Sequence, residues 1–253
     1  MNPAKLTVIA PCFNEAANVA TLAERTLAAL DRAGIAAELV LVDDGSRDAT
    51  WDHILMRQQR DPRVRGVHHK VNQGIEGAWR SGLRAATGEL VCLIDADLQN
   101  RPEDIPALHA AFVRGDGEVI QGVRHAAAGL SRHRIFTRGL NGLLNVICRT
   151  TLRDHKSGFV LCSRDTFAAM LGHRYNYRYF QALIGASAVA CGFTIAEVDT
   201  TFDPRLRGQS FLPQFPFGAS LTIVWELLKF RFETAGQRAS FVTVSTHAAV
   251  RPS

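Results

Sequence analysis

A chain of 253 residues with 47% apolar content carries enough hydrophobic material for one large α/β domain or two small ones, which excludes a disordered or fibrous polypeptide. Its formal charge of +5, from 29 Lys and Arg against 24 Asp and Glu, is a mild excess that suits phosphates or an anionic membrane surface and is weak evidence alone. The five cysteines (Cys12, Cys92, Cys148, Cys162 and Cys191) are odd in number, scattered and mostly set in apolar runs, so no disulfide framework or zinc motif is visible and a reducing cytosol is expected.

The chain opens MNPAKLTVIAPC, with only five apolar residues before Pro11, which does not read as a secretory signal. Four apolar runs of strand length follow: LTVIA (6–10), ELVLV (38–42), VRGVH (64–68) and LVCLI (90–94). Continuous apolar character means strands covered on both faces, and helix-like stretches at 18–33, 50–59 and 75–86 between them mean parallel pairing with right-handed crossovers. Another helix is expected from Pro102 to Arg114 and a fifth strand at Val119 to Gly122. The fold class is therefore α/β, a doubly wound, mostly parallel sheet with helices on both faces.

Beyond Arg132 the pattern turns to helices with short strands at 159–162 and 194–198, a variable half expected to carry an acceptor site. The uncharged window from Phe180 to Ala196 reads as a buried helix running into a strand, and that from Gly208 to Trp225 is broken by Pro213 and Pro216, so no transmembrane helix is expected. A long amphipathic helix comes next: Leu221, Val224, Trp225, Leu228 and Phe232 share one face, Thr222, Glu226, Lys229 and Glu233 the other, and Phe215, Phe217, Ile223, Leu227 and Phe230 widen the apolar side. It fits a membrane interface and a packed or dimeric contact equally. Residues 1–210 are expected to be the catalytic domain, 211–233 the amphipathic helix and 234–253 a loose tail.

The polar clusters all follow strands. PCFNE follows the first, DDGS the second and DADLQ the fourth, so in a parallel sheet they face one crevice at the carboxyl ends. If the fourth strand stays extended, Asp95, Asp97 and Gln99 point to one side and offer three hard oxygen donors, which suit Mg²⁺ or Mn²⁺ completed by substrate phosphates. The alternative is a helix cap, for which Asn100 alone suffices. Asp43 and Asp44 suit a nucleobase N–H or a ribose hydroxyl, or else an Asp-Gly turn with Asp48 or Thr50 capping a helix. The PCFNE segment likewise could be merely a Pro-terminated strand with Asn14 as a helix cap. Six arginines (Arg124, Arg132, Arg134, Arg138, Arg149 and Arg153) crowd with His125 and His133 into a candidate anion site that lacks the aromatic-basic signature of RNA binding, and no nucleic-acid partner is expected.

As a set these residues resemble the family 2 glycosyltransferases, and within them the polyprenyl-phosphate sugar transferases of the dolichol-phosphate mannosyltransferase type. The matching residues are Pro11, Asn14 and Glu15; Val42 to Ser46; Asn72 and Gly74; Gly88 and Glu89; Asp95 to Gln99, Pro102 and Glu103; with weaker matches through Arg124, Arg138, Ser157-Gly158-Phe159, Arg205 and Ser210. The resemblance implies a GT-A fold that binds a nucleotide-sugar, with Pro11, Phe13, Glu15, Val42, Asp44, Asp95, Ala96 and Arg205 around the donor. It implies that Asp95, Asp97 and Gln99 hold Mg²⁺ or Mn²⁺, that Asp95, Asp97 and Arg124 form the catalytic set, and that Arg134, Thr137, Arg138 and Ser157 lie toward a lipid-phosphate acceptor. Two positions depart from the family pattern: Phe211 stands where a Lys is common, and His133 where an Arg is common.

The expected activity is inverting, metal-dependent transfer of a hexose from a GDP- or UDP-sugar to polyprenyl or dolichyl phosphate, at the inner face of the membrane, by a homo-oligomer or with a membrane subunit. A polysaccharide or small-sugar acceptor and a non-catalytic membrane-surface scaffold are the competing readings. A sugar-phosphate nucleotidyltransferase would open with a Gly-rich phosphate loop, which PCFNE is not.

Overall fold

The computed structural model describes residues 5–124, 141–142, 145–147, 150–155, 157–174, 177, 179–204, 217–234 and 245–247. Strands β1 (Leu6–Cys12), β2 (Ala37–Asp43), β3 (Val64–His68), β4 (Leu90–Leu93) and β5 (Val119–Arg124) alternate with helices α1 (Ala16–Arg32), α2 (Thr50–Arg60), α3 (Gly74–Ala85) and α4 (Ile105–Arg114). Then come β6 (Val160–Ser163), α5 (Arg164–Met170), a 3-10 turn at Phe180–Leu183, α6 (Ile184–Ala190), β7 (Ile195–Thr200), α7 (Phe217–Thr234) and β8 (Ser245–His247).

The eight strands form one sheet in the order β3-β2-β1-β4-β6-β5-β7-β8. Among the described strands only β6 runs against its neighbours; the other pairings are parallel. The apolar runs become strands because both faces are covered, and β2 is buried at all seven positions. One face packs Val8, Ala10 and Leu41 against Val19 and Leu22 of α1, Ile54 of α2 and Leu108 of α4. The other packs Ile9, Val40 and Val91 against Trp79 of α3, Phe167 of α5, Phe180, and Leu227 and Phe230 of α7.

Two expectations change here. Ser245–His247 pairs in parallel with β7, so a strand lies inside the segment expected to be a loose tail. Helix α7 docks through Leu227 and Phe230, which widen its apolar side as expected, together with two acids of the face read as polar: Glu226 accepts from the Tyr179 N–H (2.9 Å), and Glu233 from the Tyr177 hydroxyl (2.6 Å) and the Arg174 N–H. Trp225 (69% exposed), Leu228 (39%) and Phe232 (82%) face away from the domain. The apolar stripe alone does not decide which side docks, because acidic side chains that satisfy buried N–H and O–H groups stabilise the contact as well. Cys12, Cys92, Cys162 and Cys191 are free thiols, and burial pushes Cys162 up to about 12, which leaves it inert.

Candidate active site

Strands β1 and β4 are sheet neighbours although β2 and β3 lie between them in sequence, so the winding reverses there. Such a switch point opens a crevice at the carboxyl ends of the strands, bordered by the loops that leave β1, β2 and β4.

Hydrogen bonds stitch the first two of these loops together. The Asn14 N–H donates to Ser46 Oγ (2.9 Å), the Arg47 N–H to Asn14 Oδ1 (2.8 Å), the Glu15 N–H to Thr50 Oγ1 (2.8 Å) and the Ala16 N–H to Asp48 Oδ2 (3.2 Å). Asn14 sits at φ 56, a left-handed conformation that Asn tolerates, and holds the neighbouring loop instead of capping α1. Asp48 also accepts the Thr50 N–H (3.0 Å), so one carboxylate supports the first turns of two helices. Burial acts to raise its pKa, but bonds from the Thr50 hydroxyl and the Thr50 and Ala16 amides hold it below the usual carboxylate range.

The DDGS acids are occupied inside the protein. Asp43 Oδ1 accepts the Ser46 N–H (3.1 Å), and its Oδ2 lies 2.7 Å from His68 Nδ1. Asp44 accepts the N–H groups of Gln73 (2.8 Å) and Gly74 (2.9 Å), capping α3, and lies 2.7 Å from His69 Nδ1. His69 Nε2 reaches Ser81 Oγ (2.8 Å), which also accepts from Arg84 (2.6 Å). Gly45, at φ 72, makes the turn possible, since a Cβ there would meet the Asn72 nitrogen at 2.6 Å. The two histidines escaped the sequence reading, although a His-His pair ending one strand beside an Asp-Asp pair ending the next was a usable signal. Asp44 thus stands at the expected strand end with its carboxylate committed to α3 and His69. Val42 departs from expectation: its side chain is fully buried in the core, so only its backbone reaches the crevice. Pro11, Phe13 and Glu15 are half-buried at the end of β1, and Glu15 Oε2 accepts from Asn18 (2.6 Å).

The segment after β4 is a turn, not an extended strand. Leu98 adopts φ 62 and Asp97 Oδ1 accepts the Gln99 N–H (3.0 Å), so strand alternation does not align Gln99 with the two acids. Gln99 Nε2 lies 3.5 Å from the Asp203 carbonyl. Asp97 and Ala96 are buried, Asp95 and Gln99 half-buried. Asn100 does not cap the next helix; its amide approaches Asp95 Oδ2 (3.5 Å), and the same oxygen accepts from Gln181 (3.3 Å). A strap from the end of β7 fastens this turn: the Asp203 N–H donates to the Gln99 carbonyl (2.8 Å) and Arg101 grips the Asp203 carboxylate at 2.6 and 2.7 Å. Those bonds from Arg101 hold the Asp203 pKa below the usual range. No three His, Cys, Asp or Glu side chains gather into a metal cage among the described residues. Asp95 and Asp97 instead supply two hard oxygen donors, the number that magnesium commonly takes from a protein when phosphates and water complete its shell.

The arginine cluster is divided. Arg153 is bound to the fully buried Glu197 (3.0 Å) and to Asp199 (2.7 Å), so it serves the fold and not an anion. β5 runs two residues beyond the expected Val119 to Gly122, so Arg124 ends it opposite Thr200 at the carboxyl edge, with its side chain outside the described residues. Arg134, Thr137, Arg138 and Arg205 also lie outside them. Ser157 is buried with its hydroxyl donating to the Gly122 carbonyl (2.5 Å), which ties the approach to β6 onto β5 and takes that hydroxyl away from an acceptor.

A nearly all-parallel sheet with one reversed strand, a switch point at β1 and β4 and an acidic turn just beyond β4 define an α/β fold of the GT-A type. The chain belongs to glycosyl transferase family 2, whose model matches residues 7–180. It is 31% identical over 226 residues to an undecaprenyl-phosphate 4-deoxy-4-formamido-L-arabinose transferase of Shewanella sediminis, over 88% of this chain and 65% of that protein. It is 30% identical over 236 residues to a dolichol-phosphate mannosyltransferase of Pyrococcus furiosus, over 90% of this chain and 65% of that one. The chain thus spans just under two thirds of either relative. Among solved structures, glucosyl-3-phosphoglycerate synthase of Mycobacterium tuberculosis, in complex with Mn²⁺, uridine diphosphate and phosphoglyceric acid, superposes with a TM-score of 0.69 at 21% identity, covering 90% of this chain and 78% of that one. That likeness is one of fold.

Proposed function

We propose that this chain moves a hexose, mannose or glucose, from a GDP- or UDP-sugar to a polyprenyl or dolichyl phosphate, using Mg²⁺ or Mn²⁺ held by Asp95 and Asp97. The acidic turn beside the switch point carries the reading, in a chain whose relatives are named for transfer to undecaprenyl and dolichol phosphate.

Breaking the bond between the sugar C1 and a diphosphate requires stabilisation of the departing negative charge. The divalent ion supplies that as a Lewis acid, without a proton. Asp97, fixed by the Gln99 N–H, and Asp95, held by two amides, would bind the ion through their carboxylate oxygens, with the Gln99 side-chain oxygen as a further donor. Pro11, Phe13 and Glu15 border the base and ribose, while Arg124 and Arg205 take phosphate oxygens. Arg134, Thr137 and Arg138 receive the acceptor phosphate. A phosphate monoester has a second pKa of about 6, so at neutral pH it is largely a dianion and attacks without a general base. Direct displacement inverts the configuration at C1.

Among the described residues no helix is long and apolar enough to cross a membrane. Outward-facing Trp225 and Phe232 on α7 suit contact with the cytoplasmic membrane surface, where a lipid acceptor is found. Incubation with GDP-mannose or UDP-glucose, Mn²⁺ and undecaprenyl phosphate is expected to yield an inverted lipid-linked sugar that chelator suppresses. Retained configuration overturns the mechanism, and transfer only to soluble glycans overturns the acceptor.

A further inference from the structure

Gln181 lies in the 3-10 turn ahead of α6, about ninety residues away in sequence from the acidic turn it touches. Its neighbours Phe180 and Ala182 are both buried, Phe180 among Trp79, His173 and Tyr177, so the backbone at 181 is held from both sides. The side chain crosses to the switch-point crevice, where Nε2 stands 3.3 Å from Asp95 Oδ2. Its path runs over Gly158: a Cβ there would come within 2.7 Å of Gln181 Nε2, 2.9 Å of Cγ and 3.0 Å of Cδ. The glycine between buried Ser157 and buried Phe159 is therefore the space through which Gln181 passes.

We propose that Gln181 is a positioning residue that, with Asn100, sets the orientation of the Asp95 carboxylate for a divalent cation; this rests on the metal site proposed above. Both amides bond the same oxygen, Oδ2, and both are neutral, so they fix the rotation of the carboxylate without cancelling the charge that attracts the cation. A Lys or Arg in that place would compete with the ion; an aliphatic residue would remove the shorter of the two amide contacts to Oδ2. Groups that orient a metal's carboxylate ligands change affinity by about 10–100-fold when removed.

The test is Mn²⁺ binding in the presence of GDP or UDP, followed by electron paramagnetic resonance of the free ion, on the parent chain, Asp97→Ala, Gln181→Leu and Gln181→His. The parent binds and Asp97→Ala does not; Gln181→Leu weakens binding about 10–100-fold, and Gln181→His, which restores a neutral N–H, recovers part of the loss. Gln181→Leu binding like the parent overturns the role of Gln181 while the metal reading stands. A parent that binds no Mn²⁺ overturns both. Should Leu at 181 prevent folding, Gly158→Ala displaces the same side chain and is held to the same outcomes.

Discussion

Two acid pairs sit at the carboxyl ends of β2 and β4, on either side of β1, and are held in different ways. Asp43 and Asp44, at the end of β2, pair with His68 and His69; Asp43 also accepts the Ser46 N–H, and Asp44 caps the first turn of α3. Asp95 and Asp97, after β4, sit in a left-handed turn where backbone and side-chain amides orient them at the switch point. The same residue type at the same edge of the sheet is tied to a helix N-terminus and histidines in one pair, and in the other is held by amides in the turn where we propose that the cation binds.

Substitutions that separate stability from activity break or sharpen that contrast. Asp97→Ala is expected to lower transfer by about 10²–10³-fold, the size of one lost electrostatic contact to a leaving group, with little change in the urea midpoint. Asp44→Ala removes the α3 cap and strands buried partners, and should cost about 3 kcal/mol in urea unfolding. If the two variants exchange these effects, the contrast fails.

Acid provides a third probe. Burial lowers His155 to about 4, against a smaller opposing pull from Asp154. The unfolded chain takes up that proton near pH 6.5, so stability is full above about 6.5 and falls by about 3 kcal/mol as pH drops to 4. His155→Phe should flatten that slope, read from thermal midpoints across the range. The smallest expected change is Trp225→Ser with Phe232→Ser: folding stability within about 0.5 kcal/mol of the parent, but weaker co-sedimentation with anionic vesicles. Unchanged co-sedimentation removes the membrane role of that face.

β1, β2 and β4 were legible because both faces are covered and each reads as a mostly apolar run; LTVIA, ELVLV and VRGVH fall inside observed strands, and LVCLI does so except for Ile94, which follows β4. The clustering of PCFNE, DDGS and DADLQ at one edge followed from parallel order alone. Other features depend on contacts remote in sequence. Gln99 was aligned with the acids by strand periodicity, which ends where Leu98 turns left-handed. Arg153 looked like one more basic residue until Glu197 and Asp199 took it. Ser245–His247 is too short and polar to announce a strand, and exists as one because β7 offers an edge. The orientation of α7 was hidden because its two acids satisfy N–H and O–H groups on a loop whose course the sequence does not reveal.

The most direct test is anomalous diffraction from crystals grown with Mn²⁺ and a GDP- or UDP-sugar. A manganese peak against Asp95 and Asp97, bridging to the diphosphate, is the expected result; donor bound in the crevice with no peak beside those two side chains contradicts the account.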